Sequence, residues 1–226
     1  MILAQPRYSR DSWLDWSWVT DNTDDIYAAT REHLVLTVLA VGIGLLISIP
    51  LALVAADRRR LRAPLLSVTG LLYTVPSLAL LGVLVPYTGL SRTTALIPLV
   101  SYTLLILIRN IIEGLDSVPG DVREAAAGMG YTRRAIRWRI ELPLAVPAIV
   151  AGVRIATVTT VGLVTVTSLI GQANLGQLMV SGFQRGFRTE LMVGVLLVVI
   201  IAVVADLVLS GLQRFATPWT RRRATS

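Results

Sequence analysis

Long uncharged stretches alternate along the chain with short arginine-bearing ones, and that alternation dictates most of the predicted architecture. The first stretch, Leu34 to Ala56, runs without a charge between His33 and Asp57-Arg58-Arg59-Arg60. As a helix rising about 1.5 Å per residue it covers roughly 34 Å, enough to cross a hydrocarbon core of about 30 Å with modest tilt. Further apolar runs lie at 63–91 and 93–108, at 142–171 interrupted only by Arg154, and at 191–212 interrupted only by Asp206. The pattern predicts an all-α polytopic membrane protein with five transmembrane helices, at 34–56, 64–88, 93–112, 142–170 and 191–212. A segment at 1–33 with an interfacial helix precedes them, and a basic tail at 213–226 follows.

Charge then orients the spans. Short loops rich in arginine stay on the cytoplasmic side. With the N-terminus outside, the inside segments 57–62, 109–141 and 213–226 hold 4, 6 and 4 arginines, 14 in all, against 6 outside (Arg7, Arg10, Arg31, Arg92, Arg185 and Arg188) and Arg154 within a span. The expectation is an external N-terminus and a cytoplasmic C-terminus in a bacterial plasma membrane. The first 33 residues lack the charged-then-apolar order of a cleaved signal. Trp13, Trp16 and Trp18 suit the headgroup layer, and Asp21, Asp24 and Asp25 are placed to cap a helix leading into the first span.

Composition narrows the chemistry. Of 226 residues 54% are hydrophobic and 15% charged, where a soluble domain carries about a quarter charged. There is no cysteine, one histidine (His33), and all 21 basic residues are arginine, for a net charge of +7. These counts leave no disulfide framework, thiolate nucleophile, histidine metal cluster, Schiff-base lysine or P-loop lysine. A membrane enzyme is disfavoured, no metal or cofactor is expected on this chain, and any ATP must be bound by another one. No repeat of 20–50 residues is visible, and five spans do not divide into equal halves, which argues against an ion-coupled carrier built from inverted repeats. Asp206 is the one mid-span carboxylate such a carrier has to offer.

The segment 109–141 between the third and fourth spans is the most informative. Asp121 and Glu124 have capping-box spacing before Ala125-Ala126-Ala127, Gly130 supplies a left-handed helix stop, and Thr132 is placed to cap a second helix over Arg133–Glu141. In that helix Ile136 and Ile140 share a face while Arg133, Arg134, Arg137 and Arg139 spread over the rest, and Pro143 suits a following first turn. The prediction is a helix–turn–helix with a small, flat Ala/Gly surface suited to docking a partner.

These residues resemble a known family. Glu124-Ala125-Ala126, three residues, Gly130, nine residues, Ile140, one residue, Leu142-Pro143 reproduces the EAA loop of ATP-binding-cassette importer permeases at every specified position. The resemblance implies the type I importer permease fold, similar to that of methionine permeases. It also implies an ATPase-docking role for Glu124, Ala125, Ala126, Gly130, Ile140, Leu142 and Pro143, within a loop at 114–141. The implied partners are a cytoplasmic ATPase dimer that carries ATP and Mg, a second permease subunit (identical or homologous), an external solute-binding protein and membrane lipid; nucleic acid is not among them. Tyr73-Thr-Val-Pro-Ser-Leu-Ala-Leu80, Arg109-Asn110 and Gly114-Leu115 further resemble permeases for glycine betaine, choline and carnitine. Ile170-Gly-Gln-Ala-Asn-Leu-Gly176 departs from the glycine-richer form usual there. A permease for an amino acid such as methionine is the nearest alternative, because the coupling loop is common to both.

Within the spans the candidates for a translocation path are Tyr73, Thr74, Pro76, Ser77, Asn110, Arg154, Thr157 and Asn174. Pro76 offers a kink beside polar groups. Arg154 is expected to snorkel, to pair with Glu141 or Asp206, or to serve a gate. Thr157 opens a hydroxyl-rich stretch reaching Ser168, and 171–186 reads as an external or re-entrant loop. Tyr73, Tyr87 and Tyr102 are too few and too scattered in sequence for an aromatic cage around a quaternary ammonium, so high-affinity recognition is assigned to the binding protein.

Overall fold

The computed structural model describes residues 13–216, and those residues are helical with short connections and no strand. The basic tail past 216 lies outside the described residues. Among the described residues four helices are long and apolar enough to cross a membrane: Thr23–Asp57, Arg92–Asp116, Arg133–Ile170 and Arg188–Arg214. A bent pair, Arg59–Thr74 and Ser77–Thr88, makes the fifth when counted as one.

The chain opens with α1 (Trp16–Asp21), capped by the Asp15 carboxylate, which accepts from the Ser17 amide. Next, α2 (Thr23–Asp57) starts well before Leu34, because Asp24 and Asp25 sit in its first turn, where carboxylates complement the helix dipole. Of the three tryptophans, Trp13 and Trp16 are exposed, but Trp18 is buried and packs edge-on against Phe187 with ring centroids 5.6 Å apart. Trp18 is thus a core residue and not a membrane anchor.

The apolar run at 64–88 is not one straight span. It divides into α3 (Arg59–Thr74) and α4 (Ser77–Thr88), which meet at 89°. Pro76 lacks an N–H and excludes the helical region for the residue before it, and Val75 is accordingly extended at ψ 126°. At about 1.5 Å per residue the two arms rise only roughly 24 and 18 Å, so neither crosses the core alone.

The bundle is centred on α5 (Arg92–Asp116), which takes in Gly114 and Leu115 and packs between α2 and α8 (Leu142–Val164). Leu36, Leu99 and Val164 fill one end of this core, and Ile108, Ile111 and Leu115 the other. The α5–α8 contact depends on Gly152, where a Cβ would stand 2.5 Å from the Asn110 Cβ. Arg133–Ile170 forms a single helical run. It comprises α7 (Arg133–Ile136), a π turn over Arg137–Glu141, α8, and a tight 3-10 segment at Thr165–Ile170. The predicted break at 142 is absent. The ring of Pro143 would collide with the carbonyl four residues back, and the π turn just before it relieves that conflict without ending the helix.

Residues 171–186 are not an open loop: α9 (Leu175–Arg185) packs against α10 (Arg188–Ala216) and shares a core of Trp18, Leu175, Phe187 and Val193 with α1 and α2. Most large side chains of α10 from Leu196 to Leu212 face outward, as lipid contact requires.

Candidate functional site

The predicted hairpin is built from α6 (Gly120–Gly128), α7 and the π turn. Pro119, at φ −60° and ψ 145°, occupies the N-cap and starts α6 earlier than the capping box requires. Asp121 therefore lies in the first turn and makes no cap with Glu124, although its charge still favours that helix end. The stop is as expected: Gly130 adopts φ +83°, its amide bonds the Ala127 carbonyl and the Tyr131 amide bonds the Ala126 carbonyl. Thr132 caps α7, its Oγ1 accepting from the Ala135 amide at 3.2 Å.

The outer surface presents Glu124, Ala125, Gly128, Met129, Gly130 and Tyr131, with Met129 70% exposed. Ala126 is 1% exposed and supports the hairpin from within, so it is not part of that outer surface. Ile140 and Leu142 are partly buried and Pro143 is exposed.

Sequence reasoning did not find what fastens this hairpin to the bundle. Glu141, nearly buried, accepts from Arg123 Nε at 2.7 Å and pairs with Arg137 Nε at 2.6 Å. That second contact is an ion pair whose angle falls short of a hydrogen bond. Arg123 also donates to the Leu115 carbonyl at 2.6 Å, and Arg137 to Asp57 at 2.5 Å, so one carboxylate and two guanidiniums join the ends of α2 and α5 to both arms. The signal was present: Arg137 and Glu141 stand four apart on one helix. Arg62 clamps Asp116 with two bonds of 2.5 and 2.9 Å. Between these groups opens a cavity of about 920 Å³ lined by Arg58, Arg59, Arg62, Arg123, Arg133, Arg134 and Arg137 with Glu124 and Trp138. Four carboxylates, Asp57, Asp116, Glu124 and Glu141, line it too, leaving a net positive mouth beside the hairpin.

The path candidates do not converge. Tyr73, Thr74, Pro76 and Ser77 meet at the α3–α4 bend, where Tyr102 of α5 donates to the Val75 carbonyl at 2.5 Å and its ring meets Tyr73 edge-on at 5.7 Å. Tyr87 stands apart, 84% exposed, so the bend holds an aromatic pair and no cage. Asn110 donates to the Ile106 carbonyl and packs against Gly152, and Thr157 donates to the Val153 carbonyl. Arg154 pairs with Asp206 across α8 and α10, not with Glu141. Asn174 is fully buried: its amide nitrogen donates to Val164 and Thr167, and its oxygen accepts from Gly176. It caps α9 and offers nothing to a path. Among the described residues no group of acidic or histidine side chains is arranged to hold a metal.

Compared with known proteins, the chain matches over residues 48–222 the family described as binding-protein-dependent transport system inner membrane component. It is 34% identical over 207 residues to the osmoprotectant import permease protein OsmW of Salmonella typhimurium, covering 89% of this chain and 96% of that one. It is 33% identical over 193 residues to the glycine betaine/carnitine/choline transport system permease protein OpuCD of Bacillus subtilis, covering 85% and 84%. The choline transport system permease protein OpuBB of the same organism is 31% identical over 197 residues, covering 87% and 91%. Among solved structures, an inward-facing form of the MetNI methionine ABC transporter superposes with a TM-score of 0.77 at 21% identity, covering 87% of this chain and 98% of that one. That likeness establishes the permease fold.

Proposed function

The chain belongs to the family of binding-protein-dependent transport system inner membrane components, and we propose that it is the permease subunit of an ATP-driven importer for osmoprotectants such as glycine betaine, choline or carnitine. It is a transport component and not an enzyme, with ATP hydrolysis on a separate subunit. The observation that carries the solute class is the 34% identity over 89% of this chain to an osmoprotectant permease. The likeness to methionine transporters is one of fold at 21% identity and carries no solute. Asp206, the carboxylate an ion-coupled carrier would use, is committed to Arg154, which further favours the ATP-driven reading.

In this reading two permease subunits, identical or homologous, form the pathway, an ATPase dimer docks on the hairpins, and a solute-binding protein delivers from outside. The surface of Glu124, Ala125 and Gly130 receives the ATPase, with Ile140, Leu142 and Pro143 behind it, and the arginine-lined mouth attracts acidic side chains of that partner. In this reading the N-terminus lies outside and the hairpin in the cytoplasm, an orientation that the arginine bias supports. Closure of the ATPases displaces the hairpins. Because α7 runs into α8 without a break and Glu141 ties both arms to the bundle, that displacement reaches the spans directly. Tyr73, Thr74, Pro76 and Ser77 line the path at the bend, with Asn110 and Thr157 deeper in the bundle.

The test is to purify the subunit with its native partners, identify the co-purifying chains, and measure ATP-dependent uptake of labelled glycine betaine, choline, carnitine and methionine in proteoliposomes. Co-purification of an ATPase with uptake of the quaternary ammonium solutes is the expected result. Uptake of methionine alone, or uptake that persists without an ATPase, overturns the reading.

A further inference from the structure

The bend between α3 and α4 leaves backbone unpaired in the middle of an apolar stretch. Pro76 has no N–H to return to Leu72, and the chain turns away before Ser77 or Leu78 reaches back. The Val75 amide bonds the Leu72 carbonyl at 3.4 Å, the Thr74 hydroxyl bonds the Leu71 carbonyl at 2.7 Å, and Tyr102 takes the Val75 carbonyl. Among the described residues no hydrogen bond reaches the carbonyls of Tyr73 and Thr74. Irregular backbone of this kind is tolerated inside a membrane only where protein covers it or where it lines a water-filled cavity. These two carbonyls are also the negative end of the α3 dipole.

Tyr73, which carries one of these carbonyls, is 41% exposed, while Tyr102 is 4% exposed and its ring meets that of Tyr73 at 84°. An exposed π face and free carbonyl oxygens at one bend each attract a cation. The kind of cation follows from the donor set. A small hard ion needs about six oxygens in its shell, and two carbonyls with an aromatic face do not supply them. A quaternary ammonium spreads its charge over methyl groups, donates no N–H bond, and is held by π faces and by weak C–H···O contacts.

We infer that the α3–α4 bend is a low-affinity stopping place for the quaternary ammonium group of the solute, with the Tyr73 ring as its π face, the Tyr73 and Thr74 carbonyls as its oxygens, and Tyr102 as the positioning residue that keeps Tyr73 in place. This rests on the osmoprotectant reading above and adds to it a point of contact inside the membrane. One aromatic face binds weakly, which suits a group that must release the solute onward.

The test uses the assembled permease–ATPase–binding-protein complex in vesicles of phosphatidylethanolamine and phosphatidylglycerol, which carry no choline headgroups of their own. Wild type, Tyr73→Phe and Tyr73→Leu are compared for choline and glycine betaine uptake and for ATP hydrolysis stimulated by loaded binding protein. Tyr73→Leu is expected to lower uptake about tenfold while hydrolysis stays within about twofold of wild type, and Tyr73→Phe, which keeps the π face, to keep uptake within about twofold. In the complex without binding protein, saturation transfer to the methyl protons of tetramethylammonium is expected for wild type and Tyr73→Phe, lost in Tyr73→Leu, and unaffected by excess sodium or potassium. Phosphatidylcholine vesicles added in a last arm show whether a lipid headgroup competes for the place. Wild-type uptake with no tetramethylammonium signal, or with no effect of Tyr73→Leu, overturns the inference alone. Absence of any quaternary ammonium uptake by wild type overturns the osmoprotectant reading itself.

Discussion

Arg154 grips Asp206 from one helix to the next, its Nη2 donating to both carboxylate oxygens at 2.8 and 2.9 Å and its Nε to one of them at 3.0 Å. Gln213 adds a 3.4 Å contact to the same guanidinium and donates its own amide to the Pro147 carbonyl at 3.1 Å. This cluster fastens α10 to α8 where most of α10 otherwise faces lipid.

Removing one partner leaves the other charge stranded in a low-dielectric setting, whereas removing both does not. Asp206→Leu is therefore expected to destabilise the subunit by about 2 kcal/mol, and the double variant Arg154→Leu/Asp206→Leu to recover most of that loss. Thermal unfolding in detergent across the double-mutant cycle measures it. Additive single effects would show that the two side chains do not depend on each other.

At the hairpin, Glu141→Ala leaves Arg123 with the Leu115 carbonyl and Arg137 with Asp57, and removes the carboxylate that joins the two guanidiniums. The expected cost is about 2–3 kcal/mol, felt first as loosening of Gly120–Glu141. Hydrogen exchange should accelerate in that segment before the spans are affected, and ATP hydrolysis should continue with little solute moved. Unchanged exchange there would remove Glu141 from the fastening role.

Gly130 at φ +83° is a backbone requirement, because an L side chain there meets a steric cost of about 1 kcal/mol and proline cannot adopt the angle at all. Gly130→Asn should preserve transport. Gly130→Pro should abolish coupling while the subunit remains in the membrane, as read from uptake and membrane fractionation together. Wild-type transport by the proline variant would sink the docking assignment.

Gly152 is a different case, set by space. Its Cβ would fall 2.5 Å from Asn110, so Gly152→Ala should force α5 and α8 apart at about 1–3 kcal/mol, while Gly162→Ala, with nothing within 4 Å, should be neutral or stabilising. Comparing the two melting temperatures separates crowding from helix propensity.

The spans were legible because a charge-free run of that length has few other outcomes, and the hairpin because Gly130 and Thr132 act through local backbone chemistry that no distant contact overrides. The bend was not. Pro50, Pro76, Pro86 and Pro98 each follow a β-branched residue in an apolar run, yet three stay inside helices and only Pro76 breaks one. What distinguishes Pro76 is Tyr102, which takes the Val75 carbonyl from a helix far along the chain. The rest of the Glu141 cluster was hidden for a related reason, since Arg123 comes from the other arm and Arg137 also reaches the end of α2. Asn174 looked available because a polar stretch between apolar runs reads as solvent-facing, whereas in the fold it closes a helix cap under α9.

The uninterrupted course from Arg133 into α8 sets a phase as well as a connection. Each residue of an α-helix turns the chain by about 100°, so the azimuth of the hairpin's outer face is indexed to the face that α8 turns toward α5. The π turn at Arg137–Glu141 is where that index is adjusted, since it spends more residues on one revolution than an α turn does. Deleting a single residue there would leave every side chain of the hairpin's outer surface present and swing that surface by more than a quarter revolution relative to α8.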